Sequence, residues 1–381
     1  METAEIRDVA SVIVLPPREG FSPSAIGAVG MMVRLTAGAH DIVIGNDPGP
    51  GAYPTPRLLP VPAVWWPPFG RTNRYTAGVL QRLRTLQPPL VEIHNRANLA
   101  LAIARALPKT RVALFLHNDP QSMRQAKRPQ DRAILLRHMT VVCVSTHLSQ
   151  RFAEGLSPSQ RPSQSPSQTP RVLPNAIDLD SLPPQPATRD QMILFVGRAV
   201  ADKGADAFVR AFAAIRTQIP TWRATLIGAD RFGPLSPDTP FLRTLRPAAH
   251  AAGIDMPGYL PHTAVLAAMA RAAIVVVPSR WQEPFGLTAL EALASGAALI
   301  CAPHGGLPEV AGQAALYAAP DPPGALETAI LTLAQNPAQR AALAAAGRAR
   351  AANFNAPAAR IRLQALRREL LRRELLRMVP G

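Results

Sequence analysis

The sequence predicts an α/β protein of two domains, each a parallel sheet with helices on its faces, and three observations lead there. At 381 residues the chain exceeds one ordinary core and suits two domains of roughly 100–200 residues. Short apolar runs alternate with stretches of helical periodicity, and the alternation restarts from Met192. Runs apolar on every residue belong to strands covered on both faces, as parallel sheets are.

In the first half the strand-like runs are Val12–Leu15, Asp41–Ile44, Val91–His94, Val112–His117 and Val141–Ser145, with a helix over Thr76–Leu86. In the second they are Ile193–Val196, Arg223–Ile227 and Ile274–Pro278, with helices over Asp206–Thr217, Pro261–Arg271 and Leu287–Ser295. Residues 1–185 are therefore read as one Rossmann-like domain and 186–355 as a second, with Leu182–Arg189 and its three prolines as linker. The repeated Ser-Pro-Ser-Gln of 157–170 cannot bury apolar surface and reads as a surface loop inserted in the first domain, because the strand at Val172 follows it. From 356 to 381, leucines at 363, 366, 370, 371, 375 and 376 interleave with arginines, which predicts a basic amphipathic helix.

Composition narrows the function classes. No apolar run approaches the roughly 20 residues of a membrane span, and Met1–Asp8 is acidic where a signal peptide starts basic, so a cytoplasmic location is expected. Cys143 and Cys301 lie inside apolar stretches and read as buried thiols. The net charge of +16 invites a nucleic-acid or membrane reading, yet only three of 41 basic residues are lysine and the arginines are scattered, so nucleic acid is not expected as a partner.

The chemistry concentrates in Val275–Gly296. A strand ends, a loop carries Glu283, Pro284 and Phe285 follow, Gly286 permits close backbone approach, and a helix opens at Leu287 with free N–H groups that can hold an anion. Glu291 lies eight residues beyond Glu283, up to roughly 12 Å along a helix axis. That spacing suits the two ends of a nucleotide diphosphate-sugar, with its pyrophosphate over the helix start. Upstream, Ile193–Val196 ends in Gly197-Arg198, and Lys203 stands five residues on, so two cations can face a diphosphate leaving group.

This Glu-x7-Glu string, with Pro278-Ser279 before it and Gly305-Gly-Leu-Pro-Glu309 after it, resembles the family 4 glycosyltransferases. The resemblance implies the GT-B architecture: two Rossmann-like domains whose parallel sheets face a cleft, with a C-terminal helix packing back on the first. It also implies a retaining transferase in which Glu283 contacts the donor sugar and Glu291 the ribose, while Arg198 and Lys203 hold the phosphates. Gly197, Gly228, Phe285, Gly286 and Leu287 would border the nucleotide. In the first domain, the glycine loop at Gly27, after the first strand and before a helix, suits backbone approach to phosphate and matches the family's loop where two adjacent glycines are usual, and His117 at a strand end matches a histidine close to the reacting sugar. Ala176 departs from the usual glycine after Asn175.

The expected reaction moves a hexose from a UDP- or GDP-sugar to a saccharide or lipid-linked saccharide, in cell-envelope polysaccharide or lipopolysaccharide synthesis. No cofactor and no metal is expected, since no ligand-spaced His/Asp/Cys cluster occurs. The basic helix could rest on the anionic inner face of the cell membrane, a peripheral association. Two alternatives are a nucleotide-sugar 2-epimerase of the same architecture and a non-catalytic basic protein binding membrane or nucleic acid.

Overall fold

The computed structural model describes residues 10–378 except 24, 48, 50, 52, 65–69, 158–168 and 232–235. The Ser/Pro-rich loop expected over 157–170 thus falls largely outside the described residues. The chain divides into two units, 1–176 with 356–381 and 177–355.

The first domain runs β1 (Val12–Val14), the short antiparallel pair β2 (Phe21–Ser22) and β3 (Ala25–Ile26), α1 (Ala28–Thr36), β4 (Ile42–Gly45) and β5 (Arg57–Pro60). It continues with α2 (Arg71–Leu86), β6 (Leu90–His94), α3 (Ala97–Ala106), β7 (Arg111–Leu116), α4 (Pro129–His138), β8 (Thr140–Cys143), α5 (Thr146–Ala153) and β9 (Arg171–Val172). Its sheet has the order β5-β4-β1-β6-β7-β8-β9 and is parallel throughout. The strand order reverses at β1, which pairs with β4 on one side and β6 on the other. That is the switch point outside which open α/β sheets leave a crevice.

The second domain repeats the plan. It comprises β10 (Asp190–Val196), α6 (Ala205–Ile215), β11 (Arg223–Ile227), α7 (Pro240–Ala251), β12 (Ile254–Gly258), α8 (His262–Arg271) and β13 (Ala272–Val277). Then come α9 (Leu287–Ala294), β14 (Ala298–Cys301), α10 (Leu307–Ala311), β15 (Ala315–Tyr317), α11 (Ala325–Gln335) and α12 (Pro337–Ala352). The parallel sheet reads β12-β11-β10-β13-β14-β15, with its switch point between β10 and β13. β13 is buried at every residue, Ala272 to Val277, as its unbroken apolar run requires.

Two boundaries differ from the expectation. The division falls after Ala176 rather than after 185, and Leu182–Arg189 is not a free linker. Arg189 folds into the second domain and donates to the carbonyls of Met269, Ala270 and Ala272 at 2.7–3.1 Å and to that of Ser295. The first three lie at the C-terminal end of α8 and Ser295 is the C-cap of α9, places where a helix has acceptors to spare.

The last helix, α13 (Ala356–Met378), returns to the first domain. It packs on α1, where Arg360 Nε donates to Leu35 O at 2.7 Å. Leu363 and Leu366 are buried against Leu90, Ala113, Phe115 and Val142, and Leu370 and Leu371 add to the cluster. Over the residues whose side chains are described, the leucine face of this helix is therefore spent on the domain's own core, as the expected packing back on the first domain requires. On that face Arg367 is wholly buried, chelating Glu92 at 2.6 and 3.1 Å and Asp41 at 2.9 and 3.0 Å. Burial alone would weaken its hold on the proton, but the two carboxylates raise its pKa. Cys143 and Cys301 are buried free thiols whose pKa burial raises to about 12.

Candidate active site

At the carboxyl end of β10 the chain turns at Gly197 and Arg198, beside the turn that follows β11. The two turns touch through backbone: a Cβ on Gly228 would lie 1.7 Å from the Gly197 carbonyl oxygen, so only glycine fits. Gly197 N donates to Ile227 O at 3.1 Å and Gly228 N to Gly258 O at 2.8 Å. Arg198 is half-buried and its side chain has no partner among the described residues, which leaves a cation at the switch point.

Lys203 is brought to the end of β13 by Gly204. That glycine is left-handed (φ 73°), and a Cβ there would meet Pro278 O at 1.9 Å. The Asp202 carbonyl then accepts from the N–H groups of Arg280 and Trp281 at 2.8 and 2.9 Å. The result is a direct ion pair, Lys203 Nζ to Glu283 Oε1 at 2.5 Å, with Ser279 Oγ donating to the same oxygen at 2.8 Å. Sequence reading had Lys203 facing phosphate and Glu283 facing sugar; the structure joins them to each other, with one exposed edge each.

The loop bearing Glu283 is braced from three sides. Arg280 forks onto Asp206 at 2.7 and 2.9 Å and onto Asp321 at 2.5 and 3.1 Å, and donates to Ala201 O at 2.7 Å. His304 Nε2 lies 2.8 Å from Ser279 O as donor. Gly306 N donates to Glu283 O at 2.6 Å, and at Gly305 and Gly306 a Cβ would come within 2.8 Å of the Glu283–Phe285 backbone. This explains the paired glycines after the Glu-x7-Glu string: they let a second loop lie flat on the first.

α9 begins at Gly286 (φ 106°), with no side-chain cap and no acid in its first turn, so its opening N–H groups suit an anion. Phe285 offers only backbone here, because its ring is buried edge-on against Phe354, centroids 5.7 Å apart. Glu291 follows in α9 and meets His262, the first residue of α8: His262 Nε2 to Glu291 Oε1 is 2.8 Å. Sequence reading missed His262, Arg280 and His304. The hydrogen bond and charge of Glu291, outweighing desolvation, raise the His262 pKa above its usual 6.5.

That shift has a sign. A histidine whose folded pKa is raised contributes stability below its unfolded value, and the contribution is lost as pH rises through the folded pKa. His262→Gln is therefore expected to lower the melting temperature of the chain at pH 6 and to change it less at pH 8.5. An equal deficit at both pH values, followed by differential scanning fluorimetry, would rule the charged pair out.

In the first domain, His117 follows β7. Its backbone N–H donates to Asn95 Oδ1 at 2.7 Å, and its Nε2 lies 2.9 Å from Nδ1 of His94. Burial first, then His94, pushes the His117 pKa well below 6.5, against a hydrogen bond to the Asn175 side chain that favours the protonated ring. Burial, with Arg367, takes His94 to about 3. The pair is neutral at physiological pH and can act by hydrogen bonding, not as a cation. At Gly27, N-cap of α1, the place expected for a phosphate is filled. Glu19 Oε1 accepts from Gly30 N at 2.8 Å, and a Cβ on Gly27 would lie 2.4 Å from that oxygen. Desolvation raises the Glu19 pKa in spite of the N–H groups of Gly30, Gly27 and Val29.

Two parallel sheets, each with a switch point, and an uncapped helix start beside that of the second make this an α/β protein of the doubly wound kind, which leaves ligand crevices at such points. Residues 181–350 match the family described as glycosyl transferases group 1. Over 187 residues the chain is 34% identical to glycogen synthase of Mycobacterium tuberculosis, covering 48% of this chain and 42% of that one. It thus spans less than half the length of that relative. In three dimensions it resembles sucrose-phosphate synthase of Thermosynechococcus elongatus, with TM-score 0.74, 22% identity and coverage of 95% and 99%. It likewise resembles Anabaena HepE in complex with UDP-glucose, with TM-score 0.74, 16% identity and coverage of 94% and 99%. The fold is that of the GT-B glycosyltransferases, two parallel-sheet Rossmann-like domains.

Proposed function

We propose that the chain is a retaining family 4 glycosyltransferase that moves a hexose from a nucleotide diphosphate-sugar to a saccharide or lipid-linked saccharide acceptor in cell-envelope polysaccharide or lipopolysaccharide synthesis. The observation that carries this reading is the Lys203–Glu283 pair, with Arg198, which has no partner among the described residues, and the uncapped start of α9 at the same switch point. As the glycosyl bond breaks, the diphosphate gains negative charge; Arg198, Lys203 and the N–H groups of Phe285–Leu287 are arranged to take it. Glu283 orients Lys203 and keeps its second oxygen for donor hydroxyls. Glu291, steadied by His262, accepts from the ribose. His117, neutral, offers hydrogen bonding within the first domain, where it meets His94 and Asn95. Such a route needs no carboxylate nucleophile and no bound metal to balance the leaving charge.

The test is nucleotide binding by the whole chain. One of UDP, GDP and ADP at a hundredfold excess over its Kd should raise the melting temperature by about 5–10 °C, and Glu291→Gln should lose most of that shift. No shift from any nucleotide, or the full shift in Glu291→Gln, would refute the assignment.

A further inference from the structure

The first domain holds a second feature that the donor site does not explain. A cavity of about 900 Å³ opens beside its own switch point, walled by segments that follow β1, β4, β6 and β7. Five arginines line it, Arg18, Arg71, Arg74, Arg96 and Arg124, and no Asp or Glu does among the described residues.

These arginines are unlike others in the same domain. Arg151 pairs with Asp119, Arg171 forks onto Glu369, and Arg367 serves Asp41 and Glu92. None of the five in the cavity has a carboxylate within ion-pair distance among the described residues; Arg96 gives one hydrogen bond to Asn95 O at 3.0 Å. The acid whose charge Arg96 feels, Glu19, already accepts from Gly30 N at the start of α1. Two helices also begin on the cavity wall, α2 at Arg71 and α3 at Ala97. Neither has an acid in its first turn nor a side-chain cap at its N-cap residue, Gly70 or Arg96. Five guanidinium groups without an ion-pair partner among the described residues and two uncapped helix starts around one hollow favour a ligand of high negative charge and several acceptor oxygens.

We infer that this cavity takes an acceptor carrying a phosphate group, as a soluble phosphorylated sugar or as a phosphate-bearing lipid headgroup. The word acceptor rests on the glycosyltransferase reading; the phosphate site stands on the cavity alone. Arg71 and Arg74, exposed on the first turn of α2, and Arg96 at the N-cap of α3 hold the phosphate. A volume of this size also admits the sugar ring to which the phosphate is attached.

The experiment is calorimetry on the full chain with glucose against glucose 6-phosphate, and flotation with phosphatidylcholine vesicles with and without phosphatidylinositol. At least one phosphorylated probe should bind about tenfold or more tightly than its neutral counterpart, and each of Arg71→Gln/Arg74→Gln and Arg96→Gln should weaken that binding by about tenfold. The arm that responds tells a soluble from a lipid-borne phosphate. The melting temperature of the variants, and their binding of whichever of UDP, GDP and ADP the wild type takes, should be unchanged, which shows that they fold. Neutral and phosphorylated probes binding alike, or phosphate binding that survives both variants, would overturn the inference. Failure of wild-type chain to bind any nucleotide would instead sink the donor reading and leave this site standing.

Discussion

Replacing Arg367 by alanine is expected to cost the first domain about 3–5 kcal/mol, the range for stripping one partner from a buried ion cluster. Asp41 and Glu92 lie just before strand β4 and on strand β6, with side chains no more than 3% exposed, and Arg367 is the cation that compensates both. Asp41 has other support, from the N–H groups of Ser11 and Gly38 at 2.8 Å each. Those bonds do not neutralise it. The variant should unfold at a clearly lower urea midpoint, while Arg367→Met combined with Asp41→Asn and Glu92→Gln should recover most of the loss, because no uncompensated charge remains. An Arg367→Ala chain within 1 kcal/mol of wild type, a small change by the ~1 kcal/mol centre for point substitutions, would show that α13 is not anchored this way.

Lys203→Ala should lower turnover of a nucleotide sugar by about 10²–10³-fold, roughly 2.7–4 kcal/mol, as loss of one preorganised group facing a developing charge does. The effect should fall on kcat more than on KM, since the leaving diphosphate carries more charge in the transition state than in the bound donor. Lys203→Arg should rescue little: the bond of 2.5 Å to Glu283 leaves no room for a planar fork. Equal kcat in wild type and Lys203→Ala would remove Lys203 from the chemistry.

The candidate site of the second domain was legible because it is local. Strand, loop, Gly286 and helix follow one another within Val275–Glu291, and each residue type states its purpose by position. His262 was not legible, since it reaches Glu291 from 29 residues away through the packing of α8 on α9. Arg280 looked like one more surface arginine until Asp206 and Asp321 arrived from other elements.

The same reason governs the fold. Central strands β10 and β13 announced themselves as apolar runs, whereas β5 (Arg-Leu-Leu-Pro) and β12 (Ile-Asp-Met-Pro-Gly) did not. Both are edge strands, where proline is tolerated and one side needs no hydrogen-bonding partner. In α13 the leucine period was read correctly as one face of a helix, but Arg367 shares that buried face. Only the carboxylates of Asp41 and Glu92, far off in sequence, make that possible. Glu19 is the mirror case: an acid that looked incidental occupies the helix start expected for phosphate.

The most direct measurement is release of nucleoside diphosphate when the purified chain meets a panel of UDP- and GDP-sugars, compared with its Glu283→Gln/Glu291→Gln double variant. The account predicts release from at least one donor by the wild type, with the departing sugar keeping its anomeric configuration in the product, and release reduced at least about a hundredfold in the variant. Equal release by both proteins, or a product of inverted configuration, would contradict it.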